Sequence, residues 1–433
     1  MTRAHTGPGP TRERGATTLA AGASLRLLNE VARPTRSHYA ILGLAWSAWF
    51  FGFYSLMLFS FVLGPIKAEF GPSELQLAWL TGIAIGATGV GGFFFGWLAD
   101  TVGRRASLGV AILTFVAGNA ACAVAPGAGF LAAARALAGL GIGGTWGAGQ
   151  ALVGETFPAA MRGRFGAVAQ SGAPLGLGLA AVAGSFVAPA LGWRSVFALS
   201  TLPVLLLVGL RAVPESDIWR AHPRRTSIAR HLLGRGTRGH FGRCFVLTIL
   251  NMSNYWFTVT WLPRYLQEER GLSLARSGAS TLAFVAGSLL GYLSFGLASD
   301  RWGRRGSFTF YCVLMAFGLL MFTVLWPLVA GTPQLVLLFM VVAGVGTGTW
   351  SSYGPMFSEI FPTRVRGTAM SVIMNATRGV QFLAPVVIAA VAPRWGMAGG
   401  IGLAAGFALL AAGWIWTLPE TRGRHIGLEI EGG

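Results

Sequence analysis

One stretch of this chain is written twice. AGLGIGGTWGAGQALVGETFPAAMRGR at 138–164 returns as AGVGTGTWSSYGPMFSEIFPTRVR at 343–366. At a fixed offset of 204 residues, Gly144-Thr145-Trp146 falls on Gly348-Thr349-Trp350, Glu155 on Glu359, Phe157-Pro158 on Phe361-Pro362, and Arg162-Gly163 on Arg366-Gly367. At an offset of 200, Phe95–Asp100 falls on Phe295–Asp300 and Gly103-Arg104-Arg105 on Gly303-Arg304-Arg305. The chain is 53% hydrophobic and 11% charged, where a soluble domain carries about 25% charged residues. Two copies of one plan in so apolar a chain point to two matching halves folded in lipid, the organisation of a membrane transporter.

Twelve apolar runs of roughly 20 residues follow one another, each long enough to cross about 30 Å of hydrocarbon. They are expected at 39–66, 76–98, 106–125, 129–153, 165–188, 192–211, 242–266, 277–298, 307–329, 334–356, 368–392 and 396–418. The spacing therefore predicts an all-α membrane protein of twelve transmembrane helices in two pseudo-symmetric six-helix bundles, 39–211 and 242–418. A basic tail (1–38), a central linker (212–241) and a short C-terminal tail (419–433) complete the chain. No cleaved signal peptide is read in the tail.

The net charge of +18 invites a nucleic-acid partner, but its distribution does not. Of the 33 Lys and Arg, 25 fall on one side of the expected spans: in the tail, the central linker, the connections 2–3, 4–5, 8–9 and 10–11, and the C-terminus. Six fall on the other side (Lys67, Arg194, Arg264, Arg270, Arg276 and Arg394) and two, Arg135 and Arg378, inside spans. Such asymmetry sets orientation. Both termini are expected in the cytoplasm, the protein in the cell (inner) membrane, and anionic lipid headgroups as the partner of the basic side. The three cysteines and six histidines form no ligand cluster, and no P-loop or GxSxG is present, so no metal, cofactor or enzyme activity is expected.

FGWLADTVGRR, FGLASDRWGRR, the Arg135-x-x-x-Gly139-x-Gly141-x-Gly143 run, Pro214-Glu215-Ser216 and Pro419-Glu420-Thr421-Arg422-Gly423 resemble the motifs of the major facilitator superfamily. Within it, GTWGAG (144–149), GETFPAAMRGR (154–164), LGWRSVF (191–197), WLPRYL (261–266) and NATRG (375–379) resemble the sialate/lactate (carboxylate):proton symporter group and the neighbouring aromatic-acid symporters. The resemblance implies the major facilitator fold and alternating access, with protons as a possible co-substrate. Two departures stand out: Phe51-Gly52-Phe53-Tyr54 replaces an acidic stretch in the first helix, and Thr145 replaces a Glu in the fourth. Both acids that carry a coupling proton in relatives are missing.

Arg135 and Arg378 are costly where they stand, at least about 2.5–3.5 kcal/mol each, and all 15 Asp and Glu fall in loops, tails or span ends. A bound carboxylate is the natural counter-charge, held by two parallel donors. The other readings are backbone carbonyls for Arg378 and a snorkelling side chain for Arg135. Around Arg378 run Asn375 and Gln381; the seventh helix offers Asn251, Asn254, Tyr255 and Thr258 on one face. Tyr54, Trp146, Gln150, Gln170, Trp350 and Tyr353 complete the expected cavity lining, with packing or interhelical hydrogen bonds as the alternative role of each. Asp100, Arg104, Arg105, Glu155, Arg162 and Arg164, and their counterparts Asp300, Arg304, Arg305, Glu359 and Arg366, are expected to form gating pairs that lock the halves together in one state; static helix-end pairing is the alternative.

These residues favour a monomeric transporter, secondary active or facilitative, of a small organic anion (a monocarboxylate or aromatic carboxylate). A sugar or polyol porter and a non-transporting sensor are the alternatives. With no acid to carry a proton inside the membrane, the substrate's own charge is expected to drive the cycle, whereas the resemblance favours proton symport.

Overall fold

The computed structural model describes residues 28, 33–157, 165–166, 168–221, 237–328, 331–361 and 363–422. All regular structure among them is helical. Nine runs are long and apolar enough to cross a membrane. Two of these are each a pair of helices, broken where Gly303 and Gly396 take φ of 84° and 67°. Arg238–Val259 adds one more; its Asn251, Ser253, Asn254 and Thr258 lower its hydropathy. Twelve membrane-spanning helices result.

We label them α1 (Arg36–Phe61), α2 (Glu74–Val102), α3 (Arg104–Ala123), α4 (Ala128–Thr156), α5 (Val168–Leu191) and α6 (Trp193–Leu210). The second half holds α7 (Arg238–Val259), α8 (274–302), α9 (304–322), α10 (Gln334–Ser352), α11 (363–395) and α12 (397–414). The boundaries lie within a few residues of the expected ones, except that α1, α7 and α9 stop early. Short helices, Leu63–Phe70 and Leu262–Glu268, follow α1 and α7. Most of the basic tail, much of the central linker and most of the C-terminal tail lie outside the described residues.

The repetition extends to the backbone. The six left-handed glycines form three pairs: Gly71 with Gly271, Gly103 with Gly303, and Gly192 with Gly396. Ser73 and Ser273 cap α2 and α8 alike, each hydroxyl accepting from the third backbone N–H of its helix. Glu215 accepts from the backbone N–H groups of Arg104 and Arg105 at 3.0 and 3.1 Å, and Glu420 accepts from Arg304 and Arg305 at 2.9 and 3.1 Å. Each carboxylate thus neutralises the N-terminus of α3 or α9. Burial pushes the Glu420 carboxyl up, but the N–H groups of Arg304, Arg305, Arg422 and Thr421 outweigh it and hold the carboxyl below its ordinary value.

The halves meet along α2–α11, α5–α8 and α1–α7. At Gly89 a Cβ would stand 2.6 Å from Gly379 Cα, so only glycine lets α2 and α11 approach this closely. Phe53 of α1 lies against Tyr255 and Trp256 of α7. Large apolar side chains such as Phe93, Phe94, Trp97, Leu293 and Leu297 face outward, as a lipid-embedded surface requires.

Candidate substrate site

Arg378 sits on α11, buried, where that helix faces α1 and α4 of the first half. Its guanidinium lies 5.1 Å from the Trp49 ring of α1 and 5.3 Å from the Trp146 ring of α4. The two indoles are 6.4 Å apart. Nη1 and Nη2 of Arg378, and Nε1 of Trp49, have no hydrogen-bond partner among the described residues. Backbone carbonyls therefore do not take up the end of the guanidinium. Cation–π contact offsets part of its desolvation, but an indole face supplies no lone pair to a terminal N–H. The free end is a two-pronged donor of the width of a carboxylate.

The other expected lining residues divide among several clusters. Trp146 donates from Nε1 to Gln170 Oε1 at 3.0 Å, which ties α4 to α5, and Gln150 is half-buried one turn further along α4. In the second half, Asn251 donates to the Tyr353 hydroxyl at 2.6 Å, and its carbonyl accepts from Asn254 and Thr349 at 3.0 and 3.1 Å. Trp350 packs edge-on against Tyr255, their centroids 5.2 Å apart. Gln381 is committed to Ser253 and to the Thr377 carbonyl. Asn375 reaches α2, where a Cβ at Gly92 would collide with its amide. An aromatic line, Trp49–Phe53–Tyr255–Trp350, joins Arg378 to the α7–α10 cluster.

Tyr54 and Arg135 depart from the expected cavity. The Tyr54 hydroxyl donates to the Val196 carbonyl of α6. Five residues from Trp49, it points about 140° away around α1. Arg135 is fully buried, so it does not snorkel. It stands eleven residues from Trp146 on α4, about 16 Å along the axis, and its neighbours Ser55 and Phe59 belong to the first half. Trp49 was not among the expected lining residues, because a lone indole in an apolar helix reads equally well as a lipid-facing side chain.

The gating residues pair within each half in this structure. Arg104 pairs with Asp100 and with Glu155 at 3.1 Å; Arg304 pairs with Asp300 at 3.1 Å and Glu359 at 3.0 Å. Each cluster stays within one half instead of linking the two, because its members come from adjacent helix ends of the same repeat. Arg105 and Arg305 contribute backbone N–H groups to Glu215 and Glu420, and the Arg305 guanidinium lies 5.8 Å from the Trp416 ring. Arg162, Arg164 and the side chain of Arg366 lie outside the described residues. The ion pair that crosses the halves, among the described residues, lies at the opposite face. There Arg264 grips Glu74 with two bonds of 2.6 and 3.0 Å. Arg264 also binds Glu268 at 2.8 Å, and Lys67 pairs with Glu74.

The sequence profile of the Major Facilitator Superfamily matches residues 45–294 and 244–430. The chain belongs to the Major Facilitator Superfamily. As such it is a transporter and not an enzyme. The chain is 29% identical to a cis,cis-muconate transport protein of Acinetobacter baylyi over 375 residues, covering 82% of this chain and 87% of that one. It is 27% identical to the sialic acid transporter NanX of Escherichia coli over 365 residues, covering 82% and 87%. Among solved structures it is similar in fold to a D-xylose-proton symporter, with a TM-score of 0.71, 21% identity, and coverage of 89% of this chain and 99% of that one. The superfamily membership borne out here is the one that the repeated Gly-Arg-Arg motifs implied.

Proposed function

We propose that this superfamily member carries a small organic anion, a monocarboxylate or aromatic carboxylate, across the cell membrane by alternating access. One observation carries the reading: the unpartnered end of the Arg378 guanidinium between two indoles. A carboxylate completes the fork, and a flat apolar body stacks on Trp49 or Trp146. The names of the two relatives, a muconate and a sialic acid transporter, both denote organic acids, muconate with two carboxylates and sialic acid with one, and support a carboxylate as the recognised group. The Gly-Arg-Arg turns face the cytoplasm in this reading. In the same reading the Arg264–Glu74 pair closes the outer face, and the carrier is closed to the outside.

Every described Asp and Glu lies at a helix end or in a connection. This supports a cycle driven by the substrate's own charge, by facilitated diffusion or anion exchange, with no protein acid inside the membrane as proton carrier. The test is binding and proteoliposome uptake of benzoate, cis,cis-muconate and D-xylose. We expect an acid to stabilise and be transported. Arg378→Lys should weaken its binding about 10–100-fold, because a point charge loses the paired contact, and Arg378→Ala should abolish it. Binding of D-xylose, or undiminished acid binding in Arg378→Ala, contradicts the reading. Accumulation driven by a proton gradient and lost in Asp100, Glu155 or Glu359 variants contradicts the coupling part alone.

A further inference from the structure

Arg135 presents the same problem as Arg378 at a separate place, in the core of the first half. Arg135, Ser55, Asn119, Cys122 and Phe59 are all fully buried, at 0% exposure. Arg135 Nη1 donates to the Ser55 carbonyl at 3.3 Å. Its Nε and Nη2, which point in parallel from one edge of the guanidinium, have no partner among the described residues. Phe59 offers a π face 4.4 Å away but no lone pair. The Ser55 hydroxyl donates to Asn119 Oδ1 at 2.7 Å, which fixes the amide with Nδ2 turned the other way. That Nδ2 is also without a partner among the described residues. Ser55 therefore binds both groups and gathers three unused N–H donors between α1, α3 and α4. Cys122, one turn from Asn119 on the same face of α3, adds a weak donor. Among the described residues no carboxylate pairs with Arg135 or hydrogen-bonds to Ser55 or Asn119.

A buried cluster with donors in excess and a net positive charge lacks an acceptor that is also an anion. Water would satisfy the N–H groups but leave the charge uncompensated, and an unpaired buried charge costs several kcal/mol. Full enclosure excludes an organic anion. It also disfavours sulfate or phosphate, whose double charge and four oxygens need more donors than are present. We infer that Arg135, Asn119 and Ser55 form a binding site for one small monovalent inorganic anion of the chloride class, resident within the first half. It lies about 16 Å along α4 from Trp146, an indole beside Arg378, and does not depend on what Arg378 binds.

The test uses the purified full chain in lipid nanodiscs at constant ionic strength, with sodium gluconate replaced stepwise by chloride or bromide. We expect a saturable rise in melting temperature with either halide. Asn119→Ala should need about tenfold more chloride for half of the rise, and Arg135→Gln should lose it. Arg378→Ala should keep it, which separates this site from the substrate site. Should Arg135→Gln fail to fold, Asn119→Ala and retention of radioactive chloride by the wild type carry the test. The proposal is overturned if the wild type melts identically in gluconate and chloride and retains no radioactive chloride. It is equally overturned if Asn119→Ala keeps the wild-type midpoint, or if the halide effect disappears in Arg378→Ala.

Discussion

At the scale of single residues, charge is worth most where it is enclosed and hydrogen-bonded. Asp100 is 60% exposed in its pair with Arg104, so Asp100→Asn should cost about 0–1 kcal/mol of stability. Glu215 accepts from two backbone N–H groups that have no helical partner of their own, and Glu215→Gln should cost about 1–3 kcal/mol. Thermal denaturation of the two variants in one detergent checks the order; a larger loss for Asp100→Asn contradicts it. Arg378 was legible in the sequence as a buried charge in need of a partner, because it stands within an apolar run and far from any acid. Its indole neighbour Trp49 was not, and neither was the turning of Tyr54 towards α6. A helical spacing of seven shows which residues share a face, but not which neighbour that face meets.

At the scale of elements, the repeat made the helices and their turns readable almost residue by residue. Gly103-Arg104-Arg105 and its copy each stop one helix and start the next, and both do so through a left-handed glycine. What the repeat could not convey is which ends meet. Identical motifs suggest a lock between halves as readily as one within each half, and only the packing decides. The bond between halves came instead from unrepeated residues, Glu74 and Arg264, whose pairing no motif marks. Glu74→Gln should release that face. Loss of a charged hydrogen-bonded pair of this kind shifts an equilibrium about tenfold or more. Spin labels at Leu75 and Ala275 should then report a longer distance across the outer cleft, while labels within either half stay put. An unchanged distance distribution would mean that helix packing alone keeps the face closed.

At the scale of the whole molecule, two six-helix halves related by repetition meet around Arg378, and the proposed orientation rests on the surface charge. If 25 of 33 basic residues mark the cytoplasmic side, a cysteine placed at Ser37 or Thr237, with the three buried cysteines replaced, should resist impermeant thiol reagents applied outside intact cells. Efficient labelling would invert the topology. The open fork on Arg378 has one more consequence, and it concerns voltage. Empty, the carrier presents a unit positive charge at its centre; loaded with a monovalent anion, it is neutral there. A membrane potential acts on a unit charge with about 2.3 kcal/mol per 100 mV, so it should bias the reorientation of the empty carrier and leave that of the loaded carrier almost untouched. Exchange of one anion for another should therefore run at the same rate whatever the potential across the proteoliposome, whereas net uptake, which must return the carrier empty, should change steeply with it.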